Sequence, residues 1–237
     1  MLIRLDRLLS QAGECSRSEA ARLIRGGEVL VDGAPARSGA EKIDPENSVV
    51  TLRGRTVRFS NRVCLMMNKP AGVLTATEDR DQKTVLDLLK GPHARMRLFP
   101  VGRLDKDTEG LLLLTDDGEL AHRVISPKSG VEKVYYAETD GALAREDAIA
   151  FAAGLELRDG TRCLPAKLEL LETGERSAVL VTVREGKYHQ VRRMLASRGA
   201  PVTKLKRLSV GGLRLDDSIA PGEYRELSED EISSIFL

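Results

Sequence analysis

The stretch Gly102-Arg103-Leu104-Asp105-Lys106-Asp107-Thr108-Glu109-Gly110-Leu111-Leu112-Leu113-Leu114-Thr115-Asp116-Asp117-Gly118 decides how this chain is read. Four consecutive leucines bounded by Gly110 and an Asp-Gly turn predict a core strand. A polar, charge-dense loop stands immediately before it, and loops mounted on rigid core strands are where reactive groups sit. Arg103 and Asp105 are two apart, so in extended backbone their side chains share a face. Taken alone, the same residues also describe a solvated turn carrying a surface ion pair.

Toward the C-terminus, Lys133 to Thr139 alternates as a strand. Leu164 to Leu171 and Ala178 to Arg184 predict a hairpin around Thr173-Gly174-Glu175. Tyr188 to Ser197 predicts a helix stopped by Gly199-Ala200-Pro201. On that helix Val191, Met194 and Leu195 form the apolar stripe, which leaves His189, Arg192 and Arg193 together on the other face. Arg184 and Lys187 before it, and Lys204, Lys206 and Arg207 after it, extend one basic track. Tyr135 and Tyr188 offer rings on which a base can stack, in a chain that has no tryptophan.

Toward the N-terminus, Val63 to Met67 predicts a strand ended by Asn68-Lys69-Pro70, and Thr84 to Leu89 a short helix. The first sixty residues read as a separate small unit, joined by a linker near Phe59-Ser60-Asn61-Arg62. Leu2 to Ala12 has helical periodicity, with Gly13 as its stop. Ser16-Arg17-Ser18-Glu19 is a capping box that opens a second helix ending at Arg25-Gly26-Gly27. Val29-Leu30-Val31 then runs into the hairpin turn Asp32-Gly33. Arg4, Arg7, Arg17, Arg22 and Arg25 punctuate the two helices.

Charge is segregated behind a net of only +1. Asp216 to Leu237 holds seven acidic residues and one basic, while Arg184 to Arg214 holds nine basic residues and only Glu185 as an acid. That asymmetry points to a polyanion-binding face. Cys15, Cys64 and Cys163 are far apart and lack CxxC spacing, which argues against a disulfide framework and a zinc site. A reducing cytoplasm follows. No run approaches the roughly 18 apolar residues of a membrane span, and Met1-Leu2-Ile3-Arg4 does not open a secretory signal.

The first unit, from Met1 to about Arg58, resembles the S4 RNA-binding domain through Arg4-Leu5-Asp6-Arg7-Leu8-Leu9, Ser16-Arg17-Ser18-Glu19-Ala20 and Val29-Leu30-Val31-Asp32-Gly33. That resemblance implies that the five helix arginines meet RNA phosphates, giving salt-dependent and largely sequence-blind affinity. Four motifs then follow in order: Gly102-Arg103-Leu104-Asp105, Glu132-Lys133-Val134-Tyr135, Gly186-Lys187-Tyr188-His189-Gln190-Val191-Arg192-Arg193-Met194 and Gly211-Gly212-Leu213. Together they closely resemble the RsuA-type RNA pseudouridine synthases over nearly the whole chain.

The resemblance implies an α+β chain with an S4-like domain over 1–60 and a catalytic domain over 61–237. The catalytic domain is expected to hold a mixed, mostly antiparallel sheet flanked by helices. It further implies isomerisation of a uridine in RNA with no metal or organic cofactor. Asp105 matches the essential aspartate, Tyr135 the ring that stacks on the target base, and Arg192 the cation paired with the aspartate. Arg103 matches the arginine that helps displace the target nucleotide, and Leu213 an apolar pocket residue. Lys133, His189 and Arg193 join the expected RNA-binding set. The version of the third motif, with Ala220-Pro221-Gly222-Glu223-Tyr224-Arg225, favours 16S ribosomal RNA or a small-subunit assembly intermediate over 23S RNA. A monomer away from any membrane is expected. The rival readings are a non-catalytic RNA-binding or assembly factor, which would not need Asp105, Tyr135 and Arg192 together, and a hydrolytic N-glycosidase, for which no second carboxylate can be placed.

Overall fold

The computed structural model describes residues 2–45, 47–57 and 62–237. The chain divides into two compact units, the first taking in the described residues up to Val63 together with Leu86–Phe99, the second Cys64–Val85 with Pro100–Leu237. Phe59, Ser60 and Asn61 of the expected linker, and with them the boundary between 60 and 61, lie outside the described residues.

In the first unit, α1 (Leu5–Gln11) and α2 (Arg17–Arg25) bury Leu5, Leu8, Leu9, Ala20, Leu23 and Ile24 against one another. The capping box at Ser16 forms: its Oγ accepts the Glu19 N–H at 3.3 Å, and the Ser16 N–H donates to the Glu19 carboxylate at 2.8 Å. The expected start of α1 at Leu2 is corrected. Ile3–Arg4 forms a short strand, β1, paired with β4 (Lys42–Ile43). A first helical turn leaves its own N–H groups unbonded, so strand pairing wins there. The hairpin of β2 (Val29–Val31) and β3 (Ala34–Pro35) turns at Asp32 and Gly33, both with positive φ. Beside it β2 pairs with β5 (Val50–Leu52), which pairs with β6 (Arg55–Thr56).

The second unit is built on β7 (Cys64–Lys69), β9 (Thr108–Thr115), β10 (Lys133–Thr139), β11 (Lys167–Glu172), β12 (Ser177–Val183), β13 (Val202–Val210), β14 (Leu213–Arg214) and β15 (Tyr224–Glu226), and the division between the units falls within β8 (Phe99–Pro100). Among the described residues these strands make one sheet in the order β11-β12-β10-β13-β9-β7-β15, with β14 beside β13 and β8 beside β9. Among the described residues β13 and β9 pair in parallel, while β10–β12, β10–β13, β11–β12, β13–β14, β15–β7 and β7–β9 are antiparallel. The mixed, mostly antiparallel sheet is therefore as expected. Every residue of β7 is buried, and in β9 all but Glu109, which is why both read as continuous apolar runs rather than alternating ones. Gly110 has φ +99°, and a Cβ there would lie 2.2 Å from the Arg207 carbonyl. Only glycine lets β9 and β13 approach this closely.

Helices α3 (Gly118–Ile125), α4 (Arg145–Ala153), α5 (Gln190–Ser197) and α6 (Glu229–Ser234) complete the unit. Asp117, read as part of a turn, is the N-cap of α3, its carboxylate accepting the Glu119 and Leu120 N–H groups at 2.9 and 3.2 Å. The helix expected from Tyr188 begins instead at Gln190, because His189 adopts a left-handed backbone (φ 46°, ψ 35°) that a right-handed helix cannot contain. Thr84–Leu89 contributes only a short 3-10 turn, Leu86–Leu88, and the strand expected over Val63–Met67 extends to Lys69.

Candidate active site

The loop from Gly102 to Asp107 is held by the end of β7 and the turn after it. Lys69 is fully buried, and its Nζ donates to the carbonyls of Pro70 (2.9 Å), Lys106 (3.0 Å) and Thr108 (2.9 Å). Burial pushes its ammonium down to about 8, although the nearby carboxylates of Asp107, Asp105 and Glu109 oppose the shift. The Thr75 hydroxyl donates to the Leu104 carbonyl at 2.8 Å and accepts the Leu104 N–H at 3.3 Å. Gly72 N–H reaches Lys106 O at 2.9 Å, and Thr108 N–H closes the loop on Asp105 O at 3.0 Å. Asp105 is thus carried on a backbone clamped on both sides.

Arg192, His189, Tyr135 and Arg103 converge on that carboxylate or its cavity. Arg192, in the first turn of α5, places Nε 3.7 Å from Asp105 Oδ2. Its Nη2 donates to the Asp107 carbonyl at 3.3 Å. His189 Nε2 lies 3.4 Å from Asp105 Oδ1. Tyr135, on β10, lines the same space. Asp105, Arg103, Tyr135 and His189 all border a cavity of about 730 Å3, and Arg192 borders a smaller recess that also contains Asp105. The larger cavity falls within the roughly 300–1,000 Å3 typical of ligand sites.

The segment Arg184–His189 is fixed by a buried acid. Glu185, the single acid of the basic stretch, accepts the Leu164 N–H at 2.9 Å and the Gln190 amide at 2.7 Å, and pairs with Lys187 Nζ at 2.9 Å. Lys187 N–H in turn donates to Gln190 Oε1 at 3.0 Å. This knot sets the left-handed turn at His189. It leaves Tyr188 76% exposed, stacked on the His189 ring at 3.9 Å with 16° between planes.

Other expected residues go elsewhere. Arg193 does not join His189 and Arg192. Neighbours on a helix point about 100° apart, and its guanidinium pairs with Asp159 and donates to Thr161 Oγ1 at 3.3 Å and Tyr188 O at 3.2 Å. Lys133 borders the cavity but is 8% exposed, its Nζ donating to the carbonyls of Val124 (3.2 Å) and Val131 (2.8 Å). Burial and the neighbouring Arg207 guanidinium push it down to about 8. Leu213 is buried in β14, which lies against α6, and is not among the residues bordering either space. In the first unit Arg4, Arg7, Arg17, Arg22 and Arg25 are all exposed. Arg4 is tied to Asp6 at 2.6 Å.

The basic track also splits. Strand alternation sends Lys204 and Lys206 to one face of β13 and Arg207 to the other. Arg207 is 5% exposed, sits opposite Tyr135 in register, donates Nε to Leu111 O at 2.7 Å, and borders the cavity. Its place in an alternating strand was the signal that could have separated it from the surface lysines. Among the described residues no group of three His, Cys, Asp or Glu side chains could hold a metal ion, and no helix is long and apolar enough to cross a membrane.

Comparison with known proteins shows the family. Residues 63–197 match the RNA pseudouridylate synthase family and residues 3–49 the S4 domain. The chain is 47% identical to the uncharacterized RNA pseudouridine synthase YtzG of Bacillus subtilis (strain 168), covering 97% of each chain. It is 44% identical to ribosomal small subunit pseudouridine synthase A of Vibrio cholerae, covering 99% of this chain and 100% of the other. The protein of the same name from Escherichia coli (strain K12) is 42% identical over 98% and 100%. A crystal structure of a pseudouridylate synthase superposes with TM-score 0.68 at 35% identity, covering 98% and 99%.

Proposed function

Because the chain belongs to the RNA pseudouridylate synthase family, we propose that it isomerises one uridine of 16S ribosomal RNA to pseudouridine in the cytoplasm, with Asp105 as the essential carboxylate. The observation that carries the assignment is the convergence of Arg192 and His189 on the two oxygens of Asp105 at the edge of a cavity bordered by Tyr135. The reaction breaks the C1′–N1 bond, turns the uracil and rejoins it through C5. A carboxylate kept ionised by a fixed cation suits the ribose side of that exchange, either as a nucleophile at C1′ or as the base for a ribose proton. Tyr135 gives the detached uracil a flat surface within the cavity. In this reading Arg103, exposed at the cavity border, fills the space the target nucleotide leaves.

Extruding the nucleotide costs a few kcal/mol. Contacts between phosphates and the exposed arginines of α1 and α2 offset that cost through counterion release. The small-subunit substrate is supported by relatives named for it. Chemical mapping of pseudouridine in ribosomal RNA from cells lacking the protein tests this: one position should be lost from 16S RNA. Loss confined to 23S RNA or tRNA would overturn the substrate, and no loss anywhere would overturn the activity.

A further inference from the structure

We propose that Arg207 is a catalytic residue that stabilises the negative charge developing on the uracil when its glycosidic bond breaks. The proposal rests on the reading of the chain as a uridine isomerase and assigns a charge that the reading leaves without a partner.

The cavity floor holds two buried cations. Lys133 and Tyr135 share a face of β10, and Arg207 stands directly across from Tyr135 on β13. Among the described residues no carboxylate lies within 4.0 Å of either Arg207 or Lys133. The acids bordering the cavity are committed elsewhere. Asp105 faces Arg192 and His189. Glu185 holds Lys187, Gln190 and the Leu164 amide. Asp79 accepts the backbone N–H groups of Asp81 and Gln82. Buried charges in proteins are normally paired, because removing them from water is costly. A floor carrying unpaired positive charge suits a ligand that becomes negative.

The two cations are not equally free. Lys133 directs Nζ at two carbonyls. Arg207 spends Nε on Leu111 O, while Nη1 stands 3.5 Å from the Tyr135 hydroxyl and Cζ 6.0 Å from its ring centroid. Those distances are at the limit of a hydrogen bond and of a cation–π contact, so the guanidinium is only weakly engaged by the tyrosine. Arg103, Lys106 and Lys187 are the exposed cations at the border. Arg207 lies below them, beside the ring that supports the base.

Heterolysis of C1′–N1 leaves the bonding pair on uracil N1, and the charge spreads to O2 and O4. The ribose side is met by Asp105, through a bond to C1′ or by taking the C2′ proton. Reclosure commits a ring electron pair to the new C5–C1′ bond as the Asp105–C1′ bond breaks or Asp105 returns the proton to C2′; the C5 proton then leaves to solvent and N1 takes one up. The uracil is neutral before and after and anionic only between. A fixed cation in a water-poor site therefore favours the transition state over the bound substrate.

The test uses purified full-length protein and transcripts of small- and large-subunit ribosomal RNA, made with uridine or with 5-fluorouridine. Single-turnover loss of the N-glycoside is followed by chromatography of nuclease digests. Arg207→Gln should slow the uridine reaction by roughly 100-fold, and Arg207→Lys should recover part of that loss. Fluorine withdraws electrons from the leaving base, so the Arg207→Gln defect should shrink several-fold on 5-fluorouridine RNA, a change that a purely structural role would not produce. Both RNAs meet the same preparation, so any misfolded fraction cancels from the ratio. An equal defect on both RNAs overturns the proposal. So does a defect that disappears in a Tyr135→Phe background, because Arg207 would then act only through the tyrosine hydroxyl. If wild-type protein converts neither transcript, the isomerase reading itself fails and this inference falls with it. Wild-type turnover with full activity in Arg207→Gln sinks the inference alone.

Discussion

Arg192 and Asp105 meet with Nε and Oδ2 3.7 Å apart, although one opens α5 and the other sits in the loop before β9. The same guanidinium reaches the Asp107 carbonyl, so it braces both the carboxylate and the loop beneath it. Arg192→Ala should lower kcat by about 100-fold, the usual penalty for a catalytic group displaced by an ångström or so. Arg192→Lys should lose less, since charge is kept but the planar fork is not. Tritium release from RNA containing 5-tritiated uridine reads both. Full activity in Arg192→Ala would show that the pair is dispensable.

Tyr188 is exposed, borders the cavity and lies on His189. An aromatic platform of this kind contributes about 1–3 kcal/mol per stacked base. Tyr188→Ala should therefore weaken binding to a ribosomal RNA transcript by roughly 5- to 100-fold, with Tyr188→Phe close to wild type. Filter binding decides it, and equal affinities for the two variants would refute a stacking role.

Arg7, Arg17, Arg22 and Arg25 are exposed and make no ion pair within 4.0 Å among the described residues, unlike Arg4. Replacing Arg7, Arg22 and Arg25 by Gln should flatten the dependence of log affinity on log salt by about 2, near 0.7 per lost phosphate contact on single-stranded RNA. An unchanged slope would remove these arginines from the interface.

Lys69 titrates near 8 in the folded chain against an ordinary 10.5. Between those values the unfolded chain binds the proton and the folded chain does not, so this site's contribution rises with pH. It is complete above 10.5 and is lost as pH falls through 8. Relative to Lys69→Met, wild type should gain roughly 2–3 kcal/mol between pH 8 and 10.5. Urea unfolding at matched pH measures the gap, and a flat or narrowing gap contradicts the account.

Features governed by neighbours in the chain were legible from sequence. Leu111–Leu114, Lys133–Thr139 and the Ser16–Glu19 cap each declare themselves within a few residues, and each formed. Asp105, Tyr135, Arg192, Arg103 and His189 were also named, because their motifs are short and ordered. What escaped depends on partners far away. β13 was read as a basic track because Lys204 and Lys206 mask the inward alternation of Leu205, Arg207 and Ser209. The turn at His189 depends on Glu185, whose burial requires the Leu164 backbone and Gln190. Arg193 was grouped with Arg192 because helical periodicity does not reveal Asp159 waiting on a loop.

The central claim is that Asp105 performs the chemistry within a preformed RNA site. Its most direct measurement pairs tritium release with RNA affinity for Asp105→Asn, an isosteric change that removes the charge. The account predicts turnover by the wild type, none detectable by the variant, and closely matched affinities for the same transcript. Turnover by Asp105→Asn at the wild-type rate would contradict it.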